Sequence, residues 1–170
     1  MIPDKDKEII EKYIGHNYDI INKKIKFKNN IGDFKLIYYN KDYGQNRIYD
    51  EKINRYVHFA NYSYGPYTMY YRIFEIDGSE DTFNFSFMKN NKPISIYNLP
   101  SNLLWHNHYK MGNYISIAYK IDNDFYHNTN GPAKIEFKNS ILVSEKYFVN
   151  GKEYPSELQY LIAVQNFLNK

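Results

Sequence analysis

The side chains with the widest chemical repertoire in this 170-residue chain are five histidines, at positions 16, 58, 106, 108 and 127. There is no cysteine. His106 and His108 alternate along a strand-like pattern, so both rings can face one side. Together with His127 they could hold a metal in an open three-ligand site, the arrangement of a metal-dependent hydrolase. Their spacing is neither helical nor that of a zinc knuckle. The spacing favours a structural reading, in which His108 and His127 are equivalent turn residues whose imidazoles bond the backbone of their own turns. Nucleophilic catalysis has little footing, because no serine sits in a G-x-S-x-G elbow. The pairs Glu80-Asp81 and Asp122/Asp124 lie in turn-like segments and read as solvated charges. The glycines are scattered and form no phosphate loop. The expectation is a non-enzyme with no cofactor.

A second set lies between residues 43 and 74. It contains all three arginines, Arg47, Arg55 and Arg72, among many tyrosines, including Tyr62, Tyr64 and Tyr70. Arginine stands out against a lysine-rich background, and its planar fork stacks on rings and grips carboxylates and phosphates. If Tyr67, Met69, Tyr71 and Ile73 face a core, then Tyr70, Arg72 and Phe74 face outward. Exposed Tyr, Arg and Phe together have the composition of a protein-binding hot spot. The competing reading is a second core layer. The same residues could also stack the bases of a nucleotide or single strand, although a net charge of +3 is small for general nucleic-acid binding.

In composition, 22 Asn, 21 Ile, 20 Tyr and 19 Lys fill 82 of the 170 positions. All four have A/T-rich codons, which points to a virus, phage or bacterium of low G+C content. With 43% hydrophobic residues the chain can build a core, so long-range disorder, collagen and disulfide scaffolds are excluded. No apolar run approaches the roughly 20 residues of a membrane helix, and no secretory leader is evident. A soluble protein of the cytoplasm (the host cytoplasm, for a virus) with no membrane partner is expected.

Helices are predicted only at the two ends. Asp4 and Asp6 suit the start of the first, Ile9, Ile10, Tyr13 and Ile14 give it one apolar stripe, and Gly15 stops it. The second opens at Pro155-Ser156-Glu157, where Ser156 and Gln159 fit a capping box. Its stripe is Leu158, Leu161, Ile162 and Leu168, widened by Val164 and Phe167. Between them the period is two. Phe34, Leu36 and Tyr38, then Tyr67 to Ile73, then Phe83, Phe85 and Phe87, then Ala133, Ile135 and Phe137 alternate with mainly polar neighbours. Short Asn-, Gly- and Asp-rich turns such as Asp77-Gly78, Asn90-Asn91 and Asn150-Gly151 favour antiparallel hairpins.

These hairpins have the look of worn repeats. HNTNGPAKIEF, from His127 to Phe137, and HYKMGNYISIAY, from His108 to Tyr119, share a His, three residues and a Gly, at Gly131 and Gly112. NYSYGPYTMYY keeps Gly65-Pro66 where the first has Gly131-Pro132, and YFVNGKEY follows with Asn150-Gly151. Over residues 125–155 this resembles a MORN-variant repeat of the type H-R-x-x-G-P-A…W-Y-x-N-G-K. The resemblance implies a β-hairpin array used as a scaffold or binding surface, with no particular catalysis.

The sequence therefore predicts a mainly β protein, an antiparallel meander of repeated hairpins with one N-terminal and one C-terminal helix. It predicts a single domain over 1–170, with a helix at 1–15, hairpins at 25–154 and a capping helix at 155–170. The expected function is binding of a protein partner, a host or defence factor, through the aromatic and arginine face. A nucleotide or nucleic-acid ligand is the alternative, a metal-dependent hydrolase the second, and an open sheet edge would allow a homodimer.

Overall fold

The computed structural model describes residues 2–14, 18–21, 24–27, 30–31, 34–39, 48–50, 55–76, 80–95, 99–108, 110–121 and 125–169. Side chains are described for 2–14, 63–70, 82–95, 99–107, 110–121 and 125–169. The architecture is mainly β, an antiparallel sheet of many strands with a helix at each end. Helix α1 spans Asp4–Ile14. The strands follow as β1 (Tyr18–Ile21), β2 (Lys24–Phe27), β3 (Asn30–Ile31), β4 (Phe34–Tyr39), β5 (Ile48–Asp50), β6 (Arg55–Tyr64), β7 (Tyr67–Ile76) and β8 (Glu80–Lys89). Then come β9 (Lys92–Pro93), β10 (Asn102–His108), β11 (Gly112–Ala118), β12 (Lys120–Ile121), β13 (Phe125–Tyr126), β14 (Lys134–Lys138), β15 (Ile141–Val149) and β16 (Lys152–Tyr154), and helix α2 closes the chain at Glu157–Leu168.

The main sheet runs β16-β15-β14-β11-β10-β8-β7-β6-β4-β3, each strand beside its near neighbour in sequence, with β5 on β6 and β9 on β8. The expected meander is thus present. Its turns explain why. At Asn90-Asn91, Asn139-Ser140 and Asn150-Gly151 both central residues hold positive φ, the mirror-image turn whose twist matches that of paired strands. Gly65-Pro66 makes the two-residue connection between Tyr64 and Tyr67. Glu80 and Asp81, expected in a turn, belong instead to the start of β8, where they pair with Ile76 and Glu75. Pairing with β7 on one side and β10 on the other holds them in the strand.

One face of the sheet is the core. Phe83, Phe85, Phe87, Leu103, Trp105, Ile115, Ile117 and Ile135 are buried together with Met69. Helix α1 adds Ile10 and Ile14, with Ile9 and Tyr13 half-buried beside them, so its predicted stripe does face inward. Each large apolar side chain removed from water stabilises the fold by about 1.5–3 kcal/mol. A polar clamp fixes where α1 lies. The Trp105 Nε1–H donates to Asp6 Oδ2 at 2.8 Å, and the Ser140 hydroxyl donates to Asp6 Oδ1 at 2.6 Å. Asp6 is wholly buried.

The C-terminal helix differs from its expectation. Leu158, Leu161, Ile162 and Leu168 are 53–69% exposed. The helix packs through Tyr160, Val164 and Ala163 onto Tyr147, Val149 and Tyr154. The tyrosine decides the rotation, because only that quadrant brings its hydroxyl to partners in a distant turn.

Candidate interaction surface at the C-terminal helix

The sequence-predicted binding residues that the structure describes lie on one hairpin, β6–β7. Tyr64 is 46% exposed at the Gly65-Pro66 turn, and Tyr70 is half-buried. Arg55 and Tyr62 lie in β6, opposite Asp50 and Met69; Arg72 and Phe74 lie in β7, opposite Asn84 and Thr82 of β8. The side chains of Arg55, Tyr62, Arg72 and Phe74, and the whole of Arg47, are outside the described residues, as are Gly15, Asp77-Gly78, Asp122 and Asp124.

The histidines do not converge. His106 pairs with Tyr114 and His108 with Gly112, near one end of β11. The His127 N–H bonds the Tyr119 carbonyl, five residues along the chain from Tyr114, about 17 Å in extended backbone. His106 Nδ1 shares a 2.8 Å hydrogen bond with the Thr82 hydroxyl. The three-histidine metal site is therefore not assembled, and among the described residues no cluster of three metal-ligating side chains occurs.

Nor are His108 and His127 equivalent turn residues. His108 ends a strand and faces Gly112 across a hairpin. At Gly112, φ is +80°, and an added Cβ would collide with Asn139 Oδ1, which accepts the Asn113 N–H at 3.0 Å. His127 follows the two-residue strand β13 in an irregular link, and Gly131 there has φ +146°. The His127 Nδ1 accepts the Asn150 N–H at 2.9 Å, a bond to the β15–β16 turn rather than to its own. Its ring lies 4.9 Å from that of Phe167. Burial pushes this imidazole below its ordinary pKa.

Tyr160 organises the same region. Its hydroxyl accepts the Gly131 N–H at 2.8 Å and donates to the Asn128 carbonyl at 3.0 Å. Asn128 turns the link on itself, with its Nδ2 donating to the Pro132 carbonyl and its Oδ1 accepting the Asn130 N–H. The Tyr160 ring packs 4.9 Å from Tyr147. Burial raises the pKa of the Tyr160 phenol, and the Gly131 N–H partly opposes that rise. The GPA link, the Asn150-Gly151 turn and α2 are thus tied into one unit.

That unit carries the surface features. A cleft of about 480 Å³ opens between α2 and the β15–β16 turn. Ile162, Ala163 and Phe167 supply apolar lining, and Asn150, Lys152 and Asn166 supply polar groups. Beside it Leu158, Leu161, Ile162 and Leu168 stand in water along one side of α2. With Nδ1 accepting from the Asn150 backbone, the His127 ring is held in place beside Phe167. The seam was legible in the sequence as a stripe, but its outward direction was not; a tyrosine amid Leu and Ile was the available signal. No protein family, curated protein or solved structure matches this chain. No described helix is long and apolar enough to cross a membrane.

Proposed function

We propose that this protein is a non-enzymatic interaction module that engages a protein partner, a host or defence factor if its source is viral. The observation that carries the reading is the outward face of α2, where four large aliphatic side chains remain 53–69% exposed on a helix already anchored by Tyr160 and Val164. A contiguous apolar patch of this kind marks an interface. The scaffold role implied by the MORN-variant resemblance agrees with it. This places the contact on α2, where the aromatic and arginine stretch of 43–74 was the sequence expectation. The test compares tagged wild type with Leu161→Glu, expressed in the natural setting. The wild type is expected to retain a stoichiometric protein that the variant loses, with unchanged circular dichroism. Equal retention by both, or a nuclease-sensitive complex, would overturn the proposal.

A further inference from the structure

We infer that a second copy of this chain docks on the outward face of α2, helix against helix and in register. This rests on the reading of α2 as an interaction face and assigns that face to self-association in place of a host or defence factor. The seam is Leu158, Leu161, Gln165 and Leu168, separated by three, four and three residues. That is the a/d spacing of a two-stranded coiled coil, with Ile162 as a flank. All of these residues are exposed. The body of the protein packs on another side of α2, through Tyr160 and Val164, which leaves the seam uncovered.

Gln165 selects the partner. Its carboxamide sits between Leu161 and Leu168 in the middle of the seam. A foreign apolar helix would bury it without a partner, which costs free energy. Against its own copy in parallel register, two Gln165 side chains meet at the two-fold axis. Each then offers a donor and an acceptor to the other. A polar residue at one core position specifies register in this way. In the antiparallel arrangement Gln165 would face Leu161 and lose that bond. Charge gives a partner little handle on the helix itself, because Glu157 is the only residue of α2 charged at neutral pH.

Area sets the strength. Four aliphatic side chains expose on the order of 100 Å² each. A symmetric contact that buries all four on each copy then withdraws on the order of 800 Å², and the two Gln165 side chains bring this near the roughly 1,000 Å² of a specific interface. The dimer is therefore of the weak, concentration-dependent kind.

The test uses the intact chain, whose lack of cysteine makes single-cysteine variants clean. In sedimentation equilibrium the wild-type mass is expected to rise with concentration from 20.5 kDa toward twice that value. Leu161→Glu is expected to lower the association constant about 30-fold or more, as for a hot-spot residue. Gln165→Cys is expected to form a disulfide dimer on mild oxidation, abolished by adding Leu161→Glu. A self-associating protein whose Gln165→Cys variant does not cross-link would overturn the in-register dimer, as would cross-linking indifferent to Leu161→Glu. A strictly monomeric protein that binds another protein through Leu161 would overturn self-docking while leaving the interaction reading intact. A monomer with no Leu161-dependent partner would overturn both.

Discussion

Replacing Asp6 with Ala should weaken the hold of the sheet on the N-terminal helix, which its buried Ile10 and Ile14 still keep in place. Asp6 is fully buried and accepts hydrogen bonds from Trp105 at 2.8 Å and Ser140 at 2.6 Å. These contacts join positions 99 and 134 residues apart, so they hold α1 against both β10 and the β14–β15 turn. Removing the carboxylate strands the buried Trp105 N–H at about 1–3 kcal/mol, and the half-buried Ser140 hydroxyl, free to turn to water, adds less. The expected loss is about 2–4 kcal/mol, a large part of the roughly 5–15 kcal/mol that holds a domain folded. Asp4→Ala is the control, since Asp4 shares the first turn of the helix but its side chain is 93% exposed and, among the described residues, pairs with Lys7 alone. It should cost no more than about 0.5 kcal/mol. Trp105 is the only tryptophan, so its fluorescence during urea unfolding reports from the clamp itself. The midpoint should fall for Asp6→Ala with an unchanged slope. A loss within about 1 kcal/mol of the Asp4→Ala control would refute the clamp.

Two further outcomes follow from the C-terminal unit. Tyr160→Phe leaves the Gly131 N–H without its acceptor and the Asn128 carbonyl without its donor, and should cost about 1–3 kcal/mol by calorimetry. His127 accepts the Asn150 N–H through Nδ1, and burial lowers its pKa in the folded state. The unfolded chain, titrating near 6.5, thus takes up the proton first. Stability should be level above that pH and decline below it until the folded-state value is passed. His127→Asn keeps an acceptor but does not titrate, so this component of the melting-temperature profile should vanish.

Much of the scaffold was readable because alternation and turn chemistry are local. Phe83-x-Phe85-x-Phe87 admits one buried face, and Asn150-Gly151 tolerates the positive φ its turn requires. The Asn139-Ser140 turn was harder, because serine carries no such preference. The two terminal helices were legible from caps and spacing, and Ser156 does accept the Gln159 N–H.

What the sequence determined alone, then, was the alternation of strands and turns and the existence of two amphipathic or apolar ends. Three matters were decided only by the tertiary structure. Asp6 became a buried acceptor because the sheet brings Trp105 and Ser140 to it across the chain. The histidines at 106 and 127 came apart because each bonds a different part of β11 and its extension. The aliphatic stripe of α2 was turned to water because the Tyr160 hydroxyl finds both its partners in the turn at 128–131. Periodicity states which side chains share a face, whereas the direction of that face depends on hydrogen-bond partners that only folding brings within reach.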